Sequence, residues 1–298
     1  TSMTGFVDDT KGQTNDMMSP VPMPLRQLIQ RMQADAQLWG DLLHVSGGEL
    51  EISKCNYYVM EWKFQPSGIP KLNTLVDTVL HLENGDRTAT VTLKNDAITV
   101  AHKTLGTWKS AARDQVKQAN VLEEKSNLYA RTIMASPFTR VDNWTSYSAI
   151  YLPEMTYVLP TSYLPEKRLH KIEKRAVAAT LCKGGFVSSF SRAVANGPHL
   201  YGGIAMRPLL IEQLVKQTKT IIKHLRCPGE GHDLLHITLS WAQLGTGVGF
   251  PLLESPNIPV PQLECEWLQS VRTGLSSIEA RIECHHPFVY KPRRAEDS

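Results

Sequence analysis

The stretch Thr1-Ser2-Met3-Thr4-Gly5-Phe6-Val7-Asp8-Asp9-Thr10 decides how this chain is read. Two adjacent carboxylates follow the apolar pair Phe6-Val7, where a strand has to turn. Neighbouring side chains of a strand point to opposite faces, so two consecutive acids reach one site only at a turn. Paired Asp oxygens are hard ligands that suit Mg²⁺, which combines one or two carboxylates with substrate phosphates. The same chemistry serves phosphoryl and nucleotidyl transfer by two metals. Aspartate also favours ordinary surface turns, so the dipeptide alone leaves both readings open.

Working outward, residues 11–24 hold Gly12, Asn15, Ser19 and three prolines, and read as a loop. Leu25, Leu28, Ile29, Met32, Ala36, Trp39, Leu42 and Leu43 then recur at helical spacing, and Gly47-Gly48 supplies a stop. One face of that helix is expected to lie on a sheet. Residues 57–64, 75–82, 89–93 and 98–101 are rich in β-branched and aromatic side chains, with Asn84-Gly85 and Asn95-Asp96 as turn signals. They predict a three- or four-stranded antiparallel sheet. From Lys109 onward the pattern turns helical, over 110–135, about 163–182, 208–226, and more briefly near 233–244 and 262–282.

The motifs follow one another in a telling order. Phe6-Val7-Asp8-Asp9 is followed by the amphipathic helix, then Gly47-Gly48-Glu49-Leu50-Glu51-Ile52-Ser53-Lys54-Cys55, then His102-Lys103-Thr104-Leu105-Gly106-Thr107-Trp108. This order resembles the second half of a reverse transcriptase palm, most like the polymerases of eukaryotic non-LTR retrotransposons. The stretches 151–160 and 201–206 resemble segments that follow the thumb helix in such elements. The resemblance implies an α+β fold: the C-terminal half of a right-hand polymerase palm, then an α-helical thumb and a helical extension. Its boundaries fall at 1–106 for the partial palm, 107–182 for the thumb, 183–290 for the extension and 291–298 for a tail.

The resemblance also implies roles. Asp8, with Asp9, is the expected ligand of Mg²⁺ (or Mn²⁺), and Lys54 is expected near the incoming triphosphate. Phe6 packs near the primer end or, equally, in the palm core. Leu105-Gly106 corresponds to the turn that grips the primer terminus, although any tight turn uses glycine. The implied partners are an RNA template, a DNA primer paired to it, and deoxynucleoside triphosphates. A degenerate or domesticated scaffold that binds nucleic acid or protein without catalysis is the alternative. An unrelated metal-dependent phosphotransferase would need acids within this chain to complete the Asp8-Asp9 site, and none at 49–51, 83–86 or 123–124 is convincing.

Charge distribution bears on the same question, since a net charge of +3 is too small to identify a nucleic-acid partner. Lys167, Lys171 and Lys174 repeat at i, i+4, i+7, flanked by Arg168 and Arg175, opposite Leu169, Ile172, Ala176 and Ala179. Lys216, Lys219 and Lys223 repeat the pattern against Leu210, Leu214, Ile221 and Leu225. Such stripes suit phosphate contacts along a duplex, and equally a solvated helix face. Cys227 with His232 and His236 is a weak metal candidate that lacks a fourth ligand. Five scattered cysteines without a Cys-x-x-Cys pair suit reduced intracellular thiols, in cytoplasm or nucleus. No apolar run nears the ~18 residues of a membrane span, so no membrane partner is expected. With seven residues before Asp8, the chain reads as a piece of a polyprotein whose N-terminal half is missing, inactive alone.

Overall fold

The computed structural model describes every residue except 1, 6–9, 14–23, 49, 52–53, 65, 67–69, 84–89, 188 and 284–298. The chain combines helices with small, mainly antiparallel sheets, compatible with the α+β class. It divides into two compact units, Thr1–Lys117 and Gln118–Ser298.

The first unit begins with strand β1 (Ser2–Gly5) paired antiparallel to β2 (Thr10–Gln13), in a register that sets Gly5 opposite Thr10. Residues 10–13 are therefore strand, which corrects the loop expected from residue 11 onward. Helix α1 (Leu25–Val45) follows, as its periodicity predicts. Its Leu25, Ile29, Met32 and Ala36 pack on a core of Tyr57, Val59, Val76, Leu80, Leu82 and Leu93. The same helix is tied to strand β6 (His81–Glu83) by two glutamines. Gln33 accepts from His81 N–H at 2.8 Å and donates to the His81 carbonyl. One turn later Gln37 accepts from Glu83 N–H at 2.9 Å and donates to its carbonyl at 3.3 Å. The spacings match, because four residues of helix advance about 6 Å and two strand residues about 6.6 Å.

The expected three- or four-stranded sheet is not what forms among the described residues. Two-stranded ladders take its place: β3 (Asn56–Tyr57) with β8 (Lys94–Asn95), β4 (Trp62–Phe64) with β5 (Pro70–Leu72), and β6 with β7 (Thr90–Thr92). The β3–β8 pair is parallel. Residues 75–80 keep the alternating burial of a strand, with Val76 and Leu80 inside. Side chains satisfy carbonyls there. Asn95 Nδ2 donates to Val76 O at 2.8 Å and to Thr78 O at 3.1 Å, and Tyr57 O–H donates to Thr78 O at 2.6 Å. Residues 98–101 are turn and irregular chain rather than strand. A hairpin of β9 (His102–Thr104) and β10 (Thr107–Lys109) comes next.

In the second unit α2 (Val116–Ala135) supplies Ala119 and Leu122 to a core that continues through α3 (Arg140–Ser146), a π-helical segment (Tyr147–Tyr151) and α4 (Leu152–Thr156). Thr139 opens α3 with a capping box, and its hydrogen bonds to Asp142 hold that carboxyl below the usual range. Helix α5 (Glu166–Lys183) closes in a Schellman turn, with Gly185 at φ +87° and Phe186 N–H donating to Leu181 O at 3.0 Å. This core draws on Leu181, Ala195, Met206 and Leu209, on both sides of the boundary expected at 182. Short α6 (Arg192–Asn196) precedes α7 (Leu209–Arg226). A second core joins Ile221 of α7, Leu239 of α8 (Glu230–Thr246) and Leu268, Val271 and Leu275 of α9 (Glu266–Ser277).

Helix α7 buries Leu209, Gln213, Gln217 and Ile221, not the expected row of Leu210, Leu214, Ile221 and Leu225, of which Ile221 alone is fully buried. Gln213 accepts from Leu164 N–H and donates to Leu164 O, both at 3.1 Å, and Gln217 donates to Ser162 O at 2.9 Å. This repeats the α1–β6 arrangement: amides one turn apart read alternate residues of an extended segment. Arg272 of α9 is buried and donates to the carbonyls of Leu252, Ser255 and Ile258, which pins the proline-rich stretch that follows α8.

Candidate functional site

Phe6, Asp8 and Asp9 lie outside the described residues. What the structure does give is their frame, because the antiparallel register carries Gly5 on one side of them and Thr10 on the other. Among the described residues, no group of three or more His, Cys, Asp or Glu side chains is placed to hold a metal ion. A site built on Asp8 and Asp9 needs further oxygen ligands.

Lys54 is exposed, and its N–H donates to Glu51 O at 2.9 Å. Beside it Cys55 packs against the first core, and burial, then the Glu51 carboxylate, pushes its thiol pKa up. Leu105 and Gly106 form the tip of the β9–β10 hairpin with φ of +48° and +81°. Positive φ at both central residues is the primed turn that matches strand twist, and a leucine in the first position is strained. Thr107 closes the turn by donating from Oγ1 to Thr104 O at 2.9 Å. On β10, Trp108 carries Lys117 Nζ at 5.1 Å from its ring centroid.

At the open end of that hairpin sits a cluster that sequence reasoning missed. Asp96, only 6% exposed, pairs with Lys94 Nζ at 2.9 Å and with His102 Nε2 at 3.2 Å. Asn56 Nδ2 lies 2.7 Å from the same imidazole nitrogen. Asn95-Asp96 reads in sequence as a turn signal, and nothing in the spacing to His102 marks the pair.

The lysine stripes resolve unevenly. On α5, Glu123 of α2 sits between Arg168 at 3.1 Å and Lys171 at 3.0 Å, and Arg175 donates to Asn127 at 3.4 Å. Asn120 accepts from Arg168. Arg168, Lys171 and Arg175 thus form a polar seam with α2. Lys167 and Lys174 are exposed, and among the described residues no carboxylate pairs with either. On α7, Lys219 and Lys223 are exposed and Lys216 is half-buried. The α5 surface also carries His170, whose pKa is raised by its hydrogen bonds to Glu173 and Glu166. Glu173 further accepts from Leu209 N–H at 2.8 Å and so caps the start of α7.

The His232 and His236 rings meet at a tilt of 58° with centroids 4.1 Å apart, and His232 Nδ1 lies 2.9 Å from His224 O. The four described cysteines, Cys227 included, are free thiols. No helix of the described residues is long and apolar enough to cross a membrane. Comparison with protein families, with curated proteins and with solved structures finds no match to this chain.

Proposed function

We propose that this chain is the C-terminal part of the palm, with the thumb, of a retrotransposon reverse transcriptase that copies RNA into DNA. The observation that supports the reading is the β1–β2 hairpin, whose strands bracket Phe6-Val7-Asp8-Asp9 in sequence. An aromatic-x-Asp-Asp motif between two paired strands is what the resemblance requires, and it stands where loop chemistry alone predicted no second strand. On this reading Asp8 and Asp9 are metal ligands, Lys54 faces the triphosphate, and Phe6 and the Leu105-Gly106 turn lie near the primer terminus. Lys167, Lys174, Lys219 and Lys223, with Lys216 and Lys171 in lesser measure, meet the phosphates of the template–primer duplex.

Two metals need more oxygen ligands than Asp8 and Asp9 supply, and on this reading an acid-bearing strand from the same polyprotein provides them. The test is primer extension on an RNA template. The chain joined to its upstream polymerase half extends the primer in Mg²⁺, and Asp8→Asn abolishes extension because an amide replaces a charged ligand. Full extension by the Asp8→Asn enzyme overturns the assignment. Salt-dependent binding without extension identifies the non-catalytic scaffold instead.

A further inference from the structure

Helix α8 is apolar on two opposite faces. Leu239 is buried in the second core of its unit, and Leu235 and Ala242 pack against it. On the far side Leu234, Ile237 and Trp241 are 56%, 63% and 73% exposed. A helix that is apolar all round is normally covered on every side. At 100° per residue Leu234, Thr238, Trp241 and Gly245 form one outward stripe, with Ile237 on its flank. From Leu234 to Leu253 the sequence contains no Asp, Glu, Lys or Arg.

We infer that this stripe is the contact of a homodimer, in which α8 packs antiparallel on α8 of a second copy about a twofold axis. Three features of the helix select that occupant. The first is the absence of charge along the stripe, since a self-contact must not set like charges against each other. The second is shape. An axis that places Leu234 opposite Gly245 of the second copy also places Trp241 opposite its Thr238. A Cβ built on Gly245 meets nothing within 4 Å, which leaves room for the leucine. Thr238 is exposed, and its hydroxyl is already taken up by donating to Leu234 O at 2.8 Å. The third is area. Leu234, Ile237 and Trp241 leave roughly 400 Å² uncovered per copy, and with Thr238 and Gly245 a pair reaches about 1,000 Å², the size of a weak, reversible contact. A parallel pair is disfavoured, because it aligns the helix dipoles and brings Glu230 and Asp233 onto their own copies.

Sedimentation equilibrium of the full chain between about 1 and 100 µM tests the contact. The expected result is a monomer–dimer equilibrium that Leu234→Lys and Gly245→Glu each weaken at least tenfold. Both positions face outward, so far-UV circular dichroism stays unchanged. The register makes a sharper demand. Combining Leu234→Lys with Gly245→Glu sets opposite charges against each other twice across the axis, and dimerisation recovers relative to either single variant. A monomer throughout the range, a dimer indifferent to both single variants, or a double variant no better than the singles overturns the inference. Each outcome is independent of the polymerase reading.

Discussion

Replacing Gln213 with Met is the most direct perturbation of the second unit. The side chain keeps its length but loses the amide that donates to Leu164 O and accepts from Leu164 N–H, both at 3.1 Å. Gln213 is fully buried and Leu164 is 1% exposed, so water cannot replace the lost partner. Each backbone group left unsatisfied costs about 1–3 kcal/mol, so losing both partners costs the variant about 2–6 kcal/mol. Urea unfolding followed by circular dichroism reads this as a lower midpoint at unchanged slope. Lys219→Met on the exposed side of the same helix is the control and stays within about 0.5 kcal/mol. Hydrogen exchange locates the effect, because the Leu164 amide is protected in the wild type and exposed in the variant. An unchanged midpoint with a still-protected Leu164 amide refutes the account.

Lys167→Gln with Lys174→Gln should lower the slope of log affinity against log salt for a duplex by up to about 2, at about 0.9 per phosphate contact on B-DNA. Adding Lys171→Gln should change it little further, because Glu123 already balances that charge; a large extra loss assigns Lys171 to the duplex. Leu105→Asn should stabilise the first unit by about 1 kcal/mol, since asparagine tolerates positive φ better than leucine, and a calorimetric midpoint checks it. If the leucine itself serves the primer grip, primer extension falls in that stabilised variant. His170 has a raised pKa when folded, so its pairing with Glu173 and Glu166 stabilises below the unfolded value of 6.5 and fades as pH rises through the folded value. The melting difference between wild type and His170→Gln should therefore be larger at pH 5 than at pH 8.

The long helices were legible because burial imposes a 3.6-residue period: α1, α5 and α7 begin and end within a few residues of where apolar spacing, prolines and glycines put them. The segment α3–π–α4 was missed, although Thr139 and Asp142 carry a capping box readable in the chain. Its apolar residues fall on a helix whose turns widen at Tyr147–Tyr151, so no single period describes it. The sheet was overread. Alternation at 75–80 reports one buried face, whichever groups take the backbone hydrogen bonds, and there Asn95 and Tyr57 take them. The glutamines escaped for the same reason. A polar residue on a helix normally marks the solvent side, and its pairing with a distant backbone leaves no local signature. Of the candidate site, the Leu105-Gly106 turn was visible in its dipeptide, whereas the Asp96–His102 pair depends on a fold contact that spacing does not encode.

The amides of Gln33 and Gln37 have a consequence beyond holding α1. Strand β6 bonds to β7 on one side, and the two glutamines occupy the groups at His81 and Glu83 on the other. A short strand with an open side is a template on which a foreign chain can add itself. Here a helix performs the shielding that a neighbouring strand gives in a larger sheet, so the small ladder ends without inviting another molecule to extend it. Exchanging both glutamines for alanine therefore unveils an adhesive margin, and the first sign of damage is self-association of otherwise folded protein.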